Sequence, residues 1–293
     1  MALLNSLRST FLSYPKSIDT LVDDIYSLFN GHECDPDRAA AFGQAVADVV
    51  VRRLAETERK FSLRMSSIGK PDRKLWYEAH NQNREELPPQ AKMKFLYGDI
   101  LECLLLFLAA EAGHTVENQQ GEVEVNGVLG HFDSTIDGAL VDVKSASSQS
   151  FRKFKEGNLA DDDPFGYMEQ LAGYNEGVKA DRAGFLVIDK TLGHVVFSEV
   201  PVDDLKALKV PERIEHLKEV VASPDIPERC YDPVPDGESG NMKLNTNCSY
   251  CDFKFDCWKD ANNGIGLRTF LYSKGPTHFT HIEKEPRVME ITF

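Results

Sequence analysis

The first part of the chain carries apolar residues at helical spacing. Residues 22–30 and 35–57 repeat apolar positions every three to four residues, and Pro36 lies near the start of the second segment. Residues 92–112 form the most apolar helical stretch, which Gly113 ends. The pattern therefore predicts an N-terminal helical region followed by a strongly apolar helix.

Farther along the chain, the pattern changes to the two-residue alternation of β-strands. Two Asx-Gly pairs, at residues 126–127 and 137–138, separate short runs of apolar β-formers and predict a β-meander. Asp163 followed by Pro164 is typical of a helix start, with an N-cap and a proline at the first helical position. The predicted strands are 122–125, 128–136, 140–145, 183–188 and 194–200, and the later predicted helices are 163–177 and 203–222.

The order of these elements predicts the fold class. Helices, then hairpins, then a helix and further strands indicate an α/β (α+β) protein whose mixed central sheet is flanked by helices. Beyond Pro224 the chain becomes rich in Pro and Gly and carries cysteines, which indicates an added lobe. The predicted divisions are an N-terminal helical region 1–65, a core 66–222, a cysteine-rich lobe 223–263 and a tail 264–293 without clear periodicity.

The composition limits the size of the core, the cellular location and the binding partners that we expect. A chain of 293 residues with 42% hydrophobic residues can bury one large core with an appendage. The sequence shows neither an apolar run that could span a bilayer nor a signal-peptide pattern, so we expect a cytoplasmic protein without a membrane partner. A net charge of −14 argues against indiscriminate binding of polyanions by the whole surface.

Positive charge is nevertheless concentrated in two places. One basic cluster lies between residues 52 and 74, and the other follows the second hairpin, where Phe151 and Phe154 are interleaved with it. Each cluster is either a solvated helix face or a patch that binds an anionic partner. The candidate binding residues are Arg64, Arg73, Lys74, Arg152, Lys153 and Lys155.

A pair of aspartates is the most informative feature of the meander. A two-residue turn at 137–138 carries Asp133 to a position opposite Asp142. Like charges across an antiparallel pair are destabilising, but a divalent cation between them makes the arrangement tolerable. Lys144 lies two residues beyond Asp142, so strand alternation points it to the same face. Two carboxylates beside an ammonium group are typical of a metal-dependent hydrolase.

Two predicted helices add further polar residues. Glu102 lies in the most apolar helix, where an ionised carboxylate is costly unless it is paired or binds a metal. The alternative is a surface position on the polar face of that helix. Gly98, four residues earlier, allows the helix to approach the sheet closely. Gln170 and Tyr174 lie one turn apart on one face of the later helix.

Four short motifs follow one another in a recognisable order. They read GDILE at 98–102, GHFD at 130–133, DVK at 142–144 and QLAGY at 170–174. This succession resembles the GxxxE, GxxD, (D/E)xK and QxxxY motifs of the PD-(D/E)xK nuclease superfamily, specifically its RecB-like exonuclease branch. The resemblance covers about residues 66–200. It implies a restriction-endonuclease-like core and a metal-dependent DNA nuclease.

The resemblance also implies a role for each motif residue. Lys144 would orient or help deprotonate the attacking water, while the metal would lower the pKa of that water and neutralise charge on the phosphate. Gln170 and Tyr174 would position the DNA strand and the lysine, and the two basic clusters would contact the DNA backbone. The implied oxygen ligands of one or two Mg²⁺ or Mn²⁺ ions are Glu102, Asp133, Asp142 and the carbonyl of Val143.

Four of the six cysteines fall close together near the C-terminal end. Cys248, Cys251 and Cys257 form a C-x2-C-x5-C pattern, and Cys230 lies eighteen residues before it. Four thiolates can hold a [4Fe–4S] cluster or a tetrahedral Zn²⁺ ion. The pattern resembles the iron–sulfur lobe of AddB and of the CRISPR-associated adaptation exonucleases.

In those relatives, the fourth cysteine lies upstream, in a segment similar to CPRxxWY. The corresponding segment here is KPDRKLWY, with Lys70 in place of the cysteine. Cys230 is therefore the natural substitute and Cys34 the fallback, whereas Cys103 is expected in the core. We expect a structural [4Fe–4S] cluster, with Zn²⁺ as the alternative, that pins the lobe to the core.

The leading hypothesis is a metal-dependent DNA exonuclease that acts at free DNA ends in recombination, repair or phage DNA processing. The absence of a GxxxxGK[ST] loop from the sequence favours a stand-alone nuclease in a bacterial cell, encoded by the cell or by a phage. The sequence leaves open whether the protein forms a homo-oligomer or binds a recombination or replication protein. The alternatives are an endonuclease of the same superfamily, which would need a base-reading element, and a non-catalytic DNA-binding or scaffold module. The complete set of motif residues argues against the latter.

Overall fold

The computed structural model describes residues 16–55, 61–81 and 89–292. Residues 1–15 and 56–60 of the predicted N-terminal helical region, and most of the predicted loop 84–91, lie outside the described residues.

Eleven α-helices occur in the described ranges, together with short 3₁₀ turns at Leu28–Asn30, Met65–Ser67 and Leu159–Asp161. No helix in these ranges combines the length and the apolar character that crossing a lipid bilayer requires. The helices are α1 Leu21–Ser27, α2 Pro36–Leu54, α3 Asp72–His80, α4 Pro89–Glu111, α5 Ser148–Glu156, α6 Tyr167–Val178, α7 Val202–Ala207, α8 Val210–Ala222, α9 Thr246–Ser249, α10 Lys254–Cys257 and α11 Ala261–Gly264.

The strands of the described ranges form three sheets. The strands are β1 Val116–Glu117, β2 Gly121–Val125, β3 Val128–Phe132, β4 Ser134–Ile136, β5 Ala139–Ala146, β6 Ala183–Asp189, β7 Val195–Val200, β8 Val234–Pro235, β9 Met242–Lys243, β10 Arg268–Tyr272, β11 Gly275–His281 and β12 Glu290–Ile291.

The central sheet has the strand order β1-β4-β5-β6-β7. The β5–β6 pair is parallel and its other pairs are antiparallel, so the sheet is mixed. Val141 and Leu186 pack with Leu105 of α4 on one side, while Phe185 packs with Leu171 of α6 on the other. Burial on both faces explains why β6 is an almost uninterrupted apolar run and why β5 begins as one. The predicted α/β class, with a mixed central sheet between helices, is confirmed.

The predicted strand 128–136 is in fact two strands that belong to different sheets. β3 pairs with β2 in a separate two-stranded sheet, whereas β4 joins the central sheet. Asp133 is the junction between them, and its backbone carbonyl accepts a hydrogen bond from the N–H of Gln120 at 2.9 Å. The chain changes partner strand at this residue, so a continuous strand was the wrong prediction.

The helix that was predicted to start at Asp163 is α6, and it starts at Tyr167. Gly166 precedes it with a φ of +72°, and a Cβ on Gly69 would lie 2.4 Å from the Gly166 Cα. The Asp163 side chain still caps the segment, because it accepts from the N–H of Met168 at 2.8 Å. Residues 163–166 therefore form a tight loop, held against the segment around Gly69, instead of the first helical turn.

The N-terminal helices are part of the core. Leu21 and Ile25 of α1 are buried against Leu106 of α4 and Val141 of β5. The predicted boundary at residue 65 therefore does not separate two independent hydrophobic cores.

Strand pairing crosses the predicted boundary between the cysteine-rich lobe and the tail. A second sheet with the order β12-β10-β11-β9-β8 takes strands from both segments, and Phe279 of β11 pairs with Lys243 of β9. Phe270 and Phe279 are buried inside it. The described part of the predicted tail, residues 264–292, completes the lobe, and its strands pair backbone groups that a sheet edge would otherwise expose.

Candidate active site

The hairpin that carries the candidate catalytic residues has the predicted turn. Both residues of the Asp-Gly turn have positive φ, 50° and 83°, as a type I′ turn requires. β4 and β5 pair in the predicted register, from Ile136 opposite Ala139 to Ser134 opposite Val141. Pairing stops there, because Asp133 leaves the ladder at the junction between β3 and β4.

The structure does not pair Asp133 with Asp142 in the ladder, but it brings the Asp133 side chain to Val143, the residue next to Asp142. The Asp133 carboxylate accepts a hydrogen bond from the backbone N–H of Val143 at 2.6 Å. Asp142 is only 1% exposed and forms an ion pair with Lys144. Burial, reinforced by the negative charges of Asp142 and Glu102, raises the pKa of the Asp133 carboxyl well above its usual range. The two aspartates thus belong to one electrostatic cluster.

Glu102 reaches the same cluster from α4. Its carboxylate accepts a hydrogen bond from the Gln120 side chain at 2.7 Å. Burial raises the pKa of Glu102 to about 7, and Asp99 and Asp142 add to this shift. The structure places Glu102 near Asp133 and Asp142, the position that the sequence predicts. Gln120 is a contact that sequence reasoning missed, because it depends on the turn between β1 and β2.

Lys144 is held between a carboxylate and an aromatic ring. Burial lowers the pKa of its ammonium group, but the attraction of Asp142 and Asp133 outweighs this effect and raises the pKa. The Nζ atom lies 4.9 Å from the centre of the Tyr167 ring, within the range of a cation–π contact. Sequence reasoning missed Tyr167, although its position one turn before Gln170 on α6 was a usable signal.

The predicted pair on α6 is in direct contact. The Gln170 side-chain amide donates to the Tyr174 hydroxyl at 2.9 Å, and Tyr174 is 2% exposed. Burial, followed by the charge of Asp142, raises the pKa of the Tyr174 phenol. This side chain therefore adjoins the carboxylate cluster as a neutral hydrogen-bonding group.

The two motif glycines have different roles. A Cβ on Gly130 would lie 2.4 Å from the Met65 Cβ and 2.9 Å from the Tyr174 ring, so only glycine fits between β3 and α6. A Cβ on Gly98 would lie 3.7 Å from the Ser145 Oγ, an ordinary contact. The helix and the sheet do approach each other at Gly98, but the approach does not require glycine.

The cluster holds more carboxyl groups than the cations that the protein places beside them. Glu102, Asp133 and Asp142 influence one another electrostatically, and Lys144 is the cation that acts on them. Within the described ranges, no three His, Cys, Asp or Glu side chains form a ready-made metal-binding group. Each carboxylate instead has a protein partner, which an incoming cation must displace or share. The donor chemistry, a set of carboxyl oxygen atoms with a single ammonium group beside them, fits Mg²⁺ or Mn²⁺.

The predicted DNA-binding residues fall into two environments. Arg64, Arg152 and Lys155 are exposed, whereas Lys153 pairs with Asp162 and also donates to its carbonyl at 2.9 Å. Phe151 and Phe154, interleaved with the second cluster, are buried in the core and leave its cations on the outer face of α5. The other environment, around Arg73 and Lys74, is a cavity in the cysteine-rich lobe.

That cavity brings the four clustered cysteines together. Cys230, Cys248, Cys251 and Cys257 all line it, beside Arg73, Lys74, Arg229 and Lys254. Arg73 donates to the Cys257 Sγ at 3.1 Å and to the carbonyl of Pro227 at 2.5 Å. The guanidinium group thus connects α3 of the core with the lobe, and this contact occupies one of the predicted DNA-binding side chains.

The thiols are embedded in a partly buried, cation-rich setting. Burial, with the neighbouring thiols of Cys251 and Cys230, raises the pKa of Cys248 to about 12. The thiols do not form a ready-made metal group among the described residues, although four sulfur donors beside positive charges suit a metal–thiolate centre. Cys34 is exposed and does not line the cavity, and Lys70 pairs with Glu78 at 3.0 Å.

Comparison with known proteins gives only loose likenesses. No protein-family model and no curated protein matches the chain. An alkaline exonuclease from Laribacter hongkongensis superposes with a TM-score of 0.40 at 15% identity, covering 60% of this chain and 93% of that one. The same enzyme in complex with dAMP gives a TM-score of 0.39 at 16% identity, covering 60% and 94%.

A phage-related exonuclease from Haemophilus somnus 129PT superposes with a TM-score of 0.41 at 14% identity, covering 56% of this chain and 94% of that one. Since these TM-scores lie near 0.4, the evidence for the chemistry of this chain lies in its own site.

Proposed function

We propose that the protein is a metal-dependent deoxyribonuclease that hydrolyses phosphodiester bonds from DNA ends. The observation that carries the proposal is the cluster of Glu102, Asp133 and Asp142 around a single ammonium group, that of Lys144. A structural ion pair would match one carboxylate with one cation, whereas this site holds two further carboxyl groups whose ionised forms burial penalises. The four motifs in register support DNA as the substrate and free ends as the point of attack.

In this proposal, Glu102, Asp133, Asp142 and the Val143 carbonyl hold the Mg²⁺ or Mn²⁺. The bound cation supplies Lewis-acid stabilisation of the phosphate and a water of lowered pKa. Lys144 holds its proton firmly, so it acts on the water or the phosphate by orientation and positive charge. Gln170 and Tyr174 hold neutral hydrogen-bonding groups beside the cluster and position the strand.

The test uses linear and closed-circular DNA with Mg²⁺, with Mn²⁺ or with a chelator. We expect the wild type to degrade linear DNA in the presence of metal and to leave circles intact. Removing Lys144 as Lys144→Ala lowers the rate at least roughly 100-fold, the scale of a positioned polar catalytic group. Lys206→Ala, which removes an exposed lysine from α7, is the matched control and keeps the wild-type rate.

Thermal unfolding of both variants shows whether they fold, because Lys144→Ala leaves a buried Asp142 without its counter-charge. Cutting of circles would favour the endonuclease alternative. Binding of DNA without metal-dependent hydrolysis of either substrate would favour the non-catalytic module and contradict the proposal.

We also propose that Cys230, Cys248, Cys251 and Cys257 hold a structural [4Fe–4S] cluster, with Zn²⁺ as the alternative. The supporting observation is that all four line one cavity, with Arg73 donating to one sulfur. The bound centre would cross-link the lobe, and Arg73 would stabilise the negative charge of the thiolate it contacts.

Anaerobic purification followed by metal analysis and visible absorption spectroscopy tests this second proposal. We expect iron, sulfide and broad visible absorbance, all lost in Cys230→Ser and kept in Cys34→Ser. A colourless protein with bound zinc would select the alternative. Retention of the metal by Cys230→Ser and its loss from Cys34→Ser would contradict the assignment of the fourth ligand.

A further inference from the structure

An exposed aromatic ring lies beside the candidate active site. Phe165, in the loop before α6, is 64% exposed, and its ring stacks on Tyr167 with centroids 5.4 Å apart and an interplanar angle of 24°. The Tyr167 ring in turn lies 4.9 Å from the Nζ of Lys144. Phe165 is therefore separated from the catalytic cluster by one aromatic ring.

The loop that carries Phe165 is held on several sides. Gly166 is in the left-handed region and packs backbone against backbone with Gly69, so closely that no Cβ fits between them. Its N–H donates to the Asp163 carbonyl at 3.3 Å, and the Asp163 carboxylate accepts from Met168. Pro164 lines the cysteine cavity. These contacts preorganise the exposed ring next to the site.

Burial does not explain this arrangement. The ring keeps most of its surface in water, although its stacking partner Tyr167 contacts Phe154 of the core. Single exposed apolar side chains are common on proteins and carry no meaning alone. This one differs from Phe29, which is 73% exposed on the N-terminal helices, because its stacking partner contacts the catalytic lysine.

The chemistry of the position selects one ligand. The free face of an aromatic ring attracts another flat π-system, and stacking of bases on aromatic side chains is tolerant of sequence. We propose that Phe165 stacks on a nucleobase of the strand being hydrolysed, close to the scissile phosphate. This inference rests on the proposed nuclease function and adds to it a base-binding subsite that reads no sequence.

The test measures kcat/KM on single-stranded and on duplex oligonucleotides in which one strand carries one abasic nucleotide at successive positions from each end. On intact DNA we expect Phe165→Ala to lower kcat/KM roughly 5- to 150-fold, the range of one base–aromatic stack. Phe165→Trp keeps the wild-type value. Phe165→Leu, which keeps an apolar side chain without a π-face, falls as Phe165→Ala does. Phe29→Ala is the matched control and is unchanged.

The decisive result is coupling at one position. When the abasic position is the one whose base stacks on Phe165, the kcat/KM of the wild type falls by the same factor that Phe165→Ala causes on intact DNA. The kcat/KM of Phe165→Ala falls no further on that oligonucleotide. Equal losses at every abasic position, or wild-type kcat/KM for Phe165→Leu, would overturn the subsite and leave the nuclease function standing. No hydrolysis of any oligonucleotide by the wild type would remove the proposed function, and the subsite with it.

Discussion

At the scale of single residues, the site depends on how Lys144 is held. Asp142 neutralises its charge and Tyr167 provides a ring under its Nζ at 4.9 Å. The aspartate is a motif residue, whereas the tyrosine is a positioning residue that lies outside the four motifs. Its contribution depends on the π-face, and no described contact of its hydroxyl adds to it.

Replacing Tyr167 separates these contributions. We expect Tyr167→Phe to keep the wild-type kcat on linear DNA, because the ring that faces Lys144 remains. Tyr167→Leu lowers kcat roughly 2- to 30-fold, which corresponds to a cation–π contact of about 0.5–2 kcal/mol. If Tyr167→Phe were as slow as Tyr167→Leu, the hydroxyl and not the ring would be the group that matters. Unchanged KM in both variants would distinguish positioning of Lys144 from binding of DNA.

At the scale of elements, the packing of α6 on β3 sets the position of Tyr174. Met65 is fully buried between these elements, against Gly130 on one side and Gly173 on the other. The motif glycine at 130 is therefore a steric requirement, while the motif glycine at 98 is not.

The two motif glycines give a matched pair of alanine variants. Gly130→Ala forces a methyl group into Met65 and Tyr174, so we expect a loss of about 1–3 kcal/mol in the free energy of unfolding. Gly98→Ala meets only an ordinary contact in the middle of α4, so we expect stability to be kept or raised by up to about 1 kcal/mol. Urea denaturation measures both. Equal destabilisation by the two changes would contradict this account.

A group of hydrogen bonds to the Glu111 carboxylate joins the start of α2 to the end of α4. Glu111 is 6% exposed and accepts from the Asp35 backbone N–H at 2.8 Å, from His32 at 2.6 Å and from Arg38 at 3.1 Å. The Asp35 N–H, followed by His32 and then Arg38, lowers the pKa of Glu111 to about 2 despite its burial. The folded state thus binds this proton less readily than the unfolded chain does.

The sign of that shift makes the contact dependent on pH. A lowered folded-state pKa gives stability that is present above the unfolded value of about 4.5 and is lost as pH falls toward about 2. We expect Glu111→Gln to have a lower Tm than the wild type at pH 7, and the difference to narrow between pH 5 and pH 3. A difference that stays constant over this range would show that Glu111 acts through shape and not through charge.

At the scale of the whole molecule, we expect the stability of the cysteine cavity to depend on a sheet built largely from the end of the chain. β10 and β11 pair with strands on both sides, and Phe279 lies fully buried among Phe270 and Tyr272. On the core side, Arg73 binds the lobe through Cys257 and Pro227. Core and lobe therefore share contacts at the cavity.

A substitution in the second sheet tests this dependence. Phe279→Ala removes a fully buried ring, so we expect the lobe to lose about 3–5 kcal/mol of stability. We also expect its four thiols to react faster with a thiol reagent in the metal-free protein. Leu271→Ala, at a 44% exposed position of the neighbouring strand, is the control and changes neither quantity. Unchanged thiol reactivity in Phe279→Ala would show that the cavity is stable without the sheet.

The features that the sequence alone could predict are those controlled by neighbouring residues. The Asp-Gly turn and its hairpin register depend on positive φ at two adjacent positions, and the predicted strand pairing followed from them. The helix that carries Gln170 and Tyr174 was predicted from its Asp-Pro start signal, and the helix that carries Glu102 from its apolar residues. The α/β class follows from the order of these elements.

Only the tertiary structure decided the features that depend on distant partners. Asp133 leaves its strand because its carbonyl accepts a hydrogen bond from the N–H of Gln120 and its carboxylate accepts one from the N–H of Val143. Tyr167 and Phe165 join the site because α6 starts late, where Gly69 and Gly166 meet. Arg73 turns from a predicted DNA contact to a partner of Cys257, and the tail becomes a sheet. Such contacts join residues far apart in the chain, which no local periodicity records.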